Sequence, residues 1–243
     1  MMRKHVLAVM YALCGMTLLV QCGQPHGTPV AGPPVVEGRA PWPFPALDDN
    51  IAHDTLLIQT TLDLGDSTYL MVASNVEETF EGLRLYRYRF TADSTVEMMA
   101  ISPPAYDSWT MLPTCFPIDT IHPSDGLWVL ANFGEKESWG QKVLLLDWDF
   151  MDVGFMHVAL PERVLEDDTL RLKRRNVAPQ MRYSERGDTA VWRFACDSVY
   201  LYEDGAGATD VILAAPRVRY TFHRDQGLVL WVDGQARPLR SPA

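Results

Sequence analysis

Asp147, Asp149 and Asp152, followed by Gly154, gather hard carboxylate oxygens in one short stretch, the donor type that calcium takes. A calcium loop also needs ligands at alternating positions around a central turn glycine and a closing Glu. Here Trp148, Phe150 and Met151 interrupt as strand residues would. The three aspartates are thus a calcium candidate in donor type alone, set against a solvated strand face; no other metal site is expected. A second stretch, residues 132–140, places Phe133 and Trp139 among Glu135, Lys136 and Glu137. Aromatics on a loop stack on sugar rings or anchor a partner, and they equally fold inward as plugs. Phe133, Glu135, Lys136 and Trp139 are the candidate binding loop. The third cluster is basic: Arg171, Lys173, Arg174 and Arg175 follow directly on Glu166, Asp167 and Asp168. Local compensation predicts an exposed edge strand blunted by charge rather than an anion site.

Catalytic signatures are missing from the sequence. There is no Gly-x-Ser-x-Gly elbow, no His-Glu-x-x-His and no phosphate-cradling glycine loop. His26, His53, His122, His157 and His223 are scattered singly, and His157 amid Phe155, Met156 and Val158 has the setting of a packed ring. Acidic residues number 31, so a carboxylate pair for glycoside hydrolysis stays open, because separation in space is invisible in a sequence. A formal net charge of −10 argues against nucleic acid, whose phosphates demand a basic face. It argues equally against adsorption to an acidic lipid surface. No cofactor is implied.

The elements that must position these residues are strands. Residues 56–62 and 68–73 flank Gly65-Asp66-Ser67 as a hairpin would, and residues 83–90 put Tyr86, Tyr88 and Phe90 on one face with Arg87 and Arg89 on the other. Residues 127–131 and 143–148 bracket the 132–140 loop as paired strands. Residues 189–202 alternate Trp192, Phe194 and Cys196 against Arg193 and Asp197. Val218, Tyr220 and Phe222 alternate toward a turn at residues 224–227, and residues 228–232 run back to Asp233-Gly234. Helical signals are short: a capping box of Asn75 with Glu78, and residues 161–165. The expected fold is all-β, an antiparallel sandwich or small barrel-like sheet with few short helices, forming one domain over residues 41–243.

Ahead of it stands a leader. Residues 1–5 are cationic, residues 6–20 are apolar, and Gln21-Cys22 closes the run, which is shorter than the roughly 20 residues a spanning helix needs. This segment resembles the signal peptide of a bacterial lipoprotein, with Gln21 where that family carries a small residue. The resemblance implies removal of residues 1–21 and diacylation of Cys22, and with Gly23 rather than Asp behind it, sorting to the outer membrane. Residues 22–40, with Pro25, Pro29, Pro33 and Pro34, form a Pro/Gly-rich tether, and Trp42 and Phe44 in the ladder of Pro41, Pro43 and Pro45 are expected to dock on the body. With Cys14 lost and Cys22 acylated, Cys115 and Cys196 remain as an even pair, expected to form one disulfide outside the cytoplasm; two buried thiols are the alternative. The functional expectation is an envelope protein held to the membrane by its acyl chains. Its β domain is non-catalytic and binds a protein or glycan or supports a complex. The alternative is a glycan-directed periplasmic hydrolase using an Asp/Glu pair.

Overall fold

The computed structural model describes residues 36–47, 55–75, 82–103, 110–134, 138, 140–202 and 211–239. The leader, Cys22, Glu78, Glu135, Lys136 and Trp139 lie outside the described residues. All described residues belong to one unit, Pro33–Ala243.

Nearly all regular structure is antiparallel strand. Sheet I is a meander of β1 (Ala46–Leu47), β2 (Leu56–Gly65), β3 (Thr68–Asn75), β4 (Arg84–Phe90) and β5 (Val96–Ile101); sheet II is a meander of β6 (Met111–Pro117), β7 (Leu127–Phe133), β8 (Gln141–Leu146) and β9 (Phe150–Met156). The chain then alternates between two sheets. β10 (Val158–Glu166) and β11 (Thr169–Arg175) begin sheet III, and β12 (Met181–Arg186) and β13 (Thr189–Phe194) begin sheet IV. β14 (Ser198–Leu201) and β15 (Val211–Ala214) return to sheet III, and β16 (Val218–His223), β17 (Gly227–Val232) and β18 (Gln235–Pro238) complete sheet IV. Tight turns set the registers: Asp66-Ser67 and Asp167-Asp168 each hold two successive left-handed residues, the two-residue hairpin geometry that matches strand twist.

Sheet II lies between two cores. On one face Leu127, Val129, Leu144 and Leu146 pack against Leu70, Val72 and Leu85 of sheet I. On the other, Trp128, Leu130, Val143 and Leu145 pack against Tyr183, Trp192, Tyr220 and Leu230 of sheet IV and against Val199 and Leu201 of sheet III. Covering on both faces is why β7 and β8 are apolar almost without alternation, and every residue of both strands is buried. Several polar side chains in the buried strands are bonded: Trp128 Nε1 donates to Tyr183 Oη at 2.8 Å, and Asn132 Nδ2 donates to Ser138 Oγ and to the Gly140 carbonyl, each at 2.7 Å, while Gln141 Oε1 has no partner among the described residues. The all-β architecture matches the expectation. Among the described residues helix is confined to single 3-10 turns at Ala178–Gln180 and Ala215–Arg217, and no helix is long and apolar enough to cross a membrane.

Three local expectations need correction. Residues 161–165 are strand within β10, not helix; β14 pairs only with Val158 and Ala159, so at Pro161 that side of β10 is already an edge where the missing N–H costs no ladder bond. Residues 189–202 are two strands in different sheets, β13 and β14. The body also begins before Pro41: Arg39 exchanges backbone hydrogen bonds with Tyr183 at 2.7 and 2.9 Å, and its guanidinium lies over the Tyr183 ring. From there the segment runs on past sheet II, where Trp42 N donates to the Cys115 carbonyl at 2.9 Å, to sheet I, where the Pro45 carbonyl accepts from Asp63 N and Phe44 packs on the core.

Candidate functional site

Each residue singled out for chemistry has a definite place. Phe133 is 1% exposed and plugs the core between sheets I and II. It is not a binding aromatic, because the seventh position of a doubly covered strand still points inward. Asp147, Asp149 and Asp152 do not converge. Asp152 pairs with Lys142, Asp149 caps the Phe150 N–H at 2.7 Å, and the Asp147 carbonyl, not its carboxylate, is engaged, by Arg87. Among the described residues no three His, Cys, Asp or Glu side chains cluster as metal ligands. Trp148, between the first two aspartates, is 88% exposed in the β8–β9 turn rather than in a strand.

The disulfide expectation is overturned. Cys115 lies in the core between sheets I and II, while Cys196 packs against the core on the other face of sheet II, and both thiols are free. A bridge needs Cα atoms within about 7 Å, which a sheet between them denies. Burial pushes the Cys115 thiol up to about 12, and burial chiefly, with Asp197 nearby, raises Cys196. The basic cluster does form the edge strand expected of it. In β11, Lys173 and Arg175 pair with Glu166 and Glu162 across the hairpin, and Arg174 lies over the Tyr202 ring at 4.1 Å.

The feature that sequence reasoning missed is on the outer face of sheet IV. Inward residues of β12, β13, β16 and β17 fill the core, so strand alternation turns Arg182, Arg193, Arg219 and Trp231 outward, and the register sets Arg182 opposite Arg193 and Arg219 opposite Trp231. Beside this row is a cleft of about 570 Å³ lined by Glu37, Arg193, Arg217, Arg219 and Asp233 among others. Arg217 is committed, donating from Nε and Nη2 to the two oxygens of Asp233 at 2.7 and 2.6 Å. Arg182 donates to the Met181 carbonyl at 2.8 Å. Arg193 has only a 3.4 Å contact to Ser184 Oγ, and Arg219 lies over the Trp231 ring at 4.7 Å; among the described residues neither has a carboxylate within ion-pairing distance. Desolvation, then the charges of Arg186 and Arg219, holds the Arg193 pKa below its ordinary value, with Glu37 acting in the opposite sense. It remains a cation at any physiological pH. The arrangement suits an anion: two guanidinium forks whose donors are not spent inside the protein.

Where described carboxylates depart from their ordinary range, at Asp93, Asp119, Glu166 and Asp233, they are shifted down, chiefly by hydrogen bonds from Thr91, the Ile121 N–H, Lys173 and Arg217 respectively. Comparison with protein-family models, curated proteins and solved structures returns no significant match.

Proposed function

We propose that this chain is an envelope lipoprotein, anchored through acylated Cys22, whose β domain binds a ligand without transforming it, and that the cleft on sheet IV is its binding surface. The observation that carries the reading is the pair Arg193 and Arg219, set on neighbouring strands with no carboxylate within ion-pairing distance among the described residues, in a chain of net charge −10. Like charges across adjacent strands destabilise a sheet. Binding is a role that offsets such a cost. The root of the tether supports the same reading, since Val36 and Glu37 form one wall of the cleft and so set the surface where the anchor segment meets the body. A glycan-directed hydrolase needs one carboxylic acid held protonated, with a raised pKa, and the carboxylates with displaced values are displaced the wrong way.

The anchor is tested by metabolic labelling with a palmitate analogue. Label is expected on the wild-type chain and absent from Cys22→Ser; equal incorporation in both would remove the membrane assignment. The non-catalytic claim is tested by incubating the purified domain with envelope glycans, where release of new reducing ends would restore the hydrolase.

A further inference from the structure

Three features of the sheet IV cleft narrow what it takes. Its volume, about 570 Å³, is that of a site for a molecule of several rings rather than a lone ion. Arg193 and Arg219 project from adjacent strands, about 5 Å apart in the hydrogen-bonding direction, and Arg186 is near enough to repel Arg193. A single small anion would satisfy one fork and leave the others facing each other. Anionic groups repeated along a chain would answer several at once.

The surroundings decide between kinds of polyanion. A bilayer or a nucleic-acid duplex presents a broad charged surface, which would press its charge against the acidic remainder of this protein. A single flexible chain enters the cleft alone. Arg219 is also pre-set for such a ligand: its guanidinium rests on the Trp231 face, while Trp231 Nε1 is fixed by donating to Thr221 Oγ1 at 2.8 Å. Contact through the π face orients the fork without spending its N–H donors.

We infer that the cleft lined by Arg193 and Arg219, the latter resting on Trp231 beside it, binds an acidic polysaccharide, a chain carrying repeated carboxylate or sulfate groups. This rests on the reading of the domain as a tethered binding module. Arg193 and Arg219 are the fork donors, and Glu37 at the cleft wall is an internal competitor for the same guanidinium charge.

The experiment measures binding of polygalacturonate and heparin to the acyl-free domain, Cys22→Ser, at low and physiological salt. Dextran is the uncharged control and phosphatidylglycerol vesicles are the lipid arm. Arg193→Gln and Arg219→Gln are each expected to weaken acidic-glycan binding about tenfold, the loss of one charge-assisted contact, and affinity is expected to fall as salt rises. Both variants are expected to melt at or above the wild-type temperature, because repulsion is relieved. If Arg219→Gln melts lower, Arg219→Lys, which keeps the charge without the fork, replaces it with the same expected loss. Retention unchanged by the arginine variants, equal binding of dextran, or binding of the vesicles in place of the glycans overturns the assignment. Reducing ends are counted in the same mixtures. Glycan cleavage there would defeat the non-catalytic reading, whereas intact glycan without arginine-dependent binding would defeat only the ligand class.

Discussion

Arg87 in β4 is 8% exposed, and it joins two loops at one end of sheet II: Nη1 donates to the Asp147 carbonyl at 2.6 Å and Nη2 to the Ser124 carbonyl at 2.8 Å. Strand alternation puts it on one face with Arg89, and the same face carries Leu85, which is packed on sheet II. Burial lowers its pKa against the opposing pull of Asp125 and Asp147, and its Nε has no partner. The substitution Arg87→Met keeps most of the stem and removes both bonds. A hydrogen bond from a charged donor contributes about 1.5 to 3 kcal/mol, so two would give about 3 to 6. The guanidinium's own desolvation, including the unbonded Nε, offsets part of this, and the expected loss is about 2 to 4 kcal/mol. At about 2 to 4 °C per kcal/mol for a domain of this size, the melting temperature should fall by roughly 5 to 15 °C. The internal control is Arg89→Met, two residues along: its ion pair to Glu97 at 2.7 Å is about half-exposed on both sides and should contribute no more than about 1 kcal/mol. Urea denaturation of the wild type and both variants measures the difference. Equal midpoints for the two variants, or an Arg87→Met midpoint unchanged from wild type, would refute the view of Arg87 as a clamp.

Other consequences are as direct. Without reductant, the denatured chain lacking residues 1–22 should titrate two thiols, and Cys115 should resist a thiol reagent at pH 8 in the folded state, since its pKa near 12 leaves almost no thiolate; no titratable thiol after unfolding would restore the disulfide. Gly140→Ala should be strongly destabilising, by about 3 kcal/mol or more, because φ is +119° and a Cβ would meet the Met156 carbonyl and Tyr202 Oη at 2.6 Å; a melting temperature within error of wild type would contradict this. Asp233 has its folded pKa lowered by Arg217, so its contribution is fully present above the unfolded value near 4 and is lost as pH falls through the lower folded value. Asp233→Asn should flatten the acid limb of the stability curve, and an unchanged limb would show the pair to be inert.

What was legible in the sequence was whatever depends on neighbours along the chain. The Asp66-Ser67 hairpin, the strands either side of the 132–140 loop and the β16–β17 hairpin follow from turn chemistry and period-two alternation within a few residues. Alternation fails where a sheet is covered twice. β7 and β8 carry almost no polar face to mark their orientation, and so the sequence left Phe133 open between a loop aromatic and an inward plug, and the structure makes it the plug. The same blindness governed the cysteines. An even count fixes how many thiols there are and says nothing about the sheet that separates Cys115 from Cys196.

The arginine row shows the limit most sharply. Arg193 and Arg219 are 26 residues apart in the chain, and each alone is an ordinary outward residue of an amphipathic strand. Their adjacency comes from β13 pairing with β16 across the excursion through β14 and β15 into sheet III. That crossover is a choice of topology, which local periodicity does not encode. A sequence search could have asked which outward positions of β12, β13 and β16 are all arginine, but only after knowing that those three strands are neighbours. The cost of placing like charges side by side becomes visible with the register, and that cost is the argument for a ligand: removing either charge should leave the sheet as stable or more so while removing what the cleft holds.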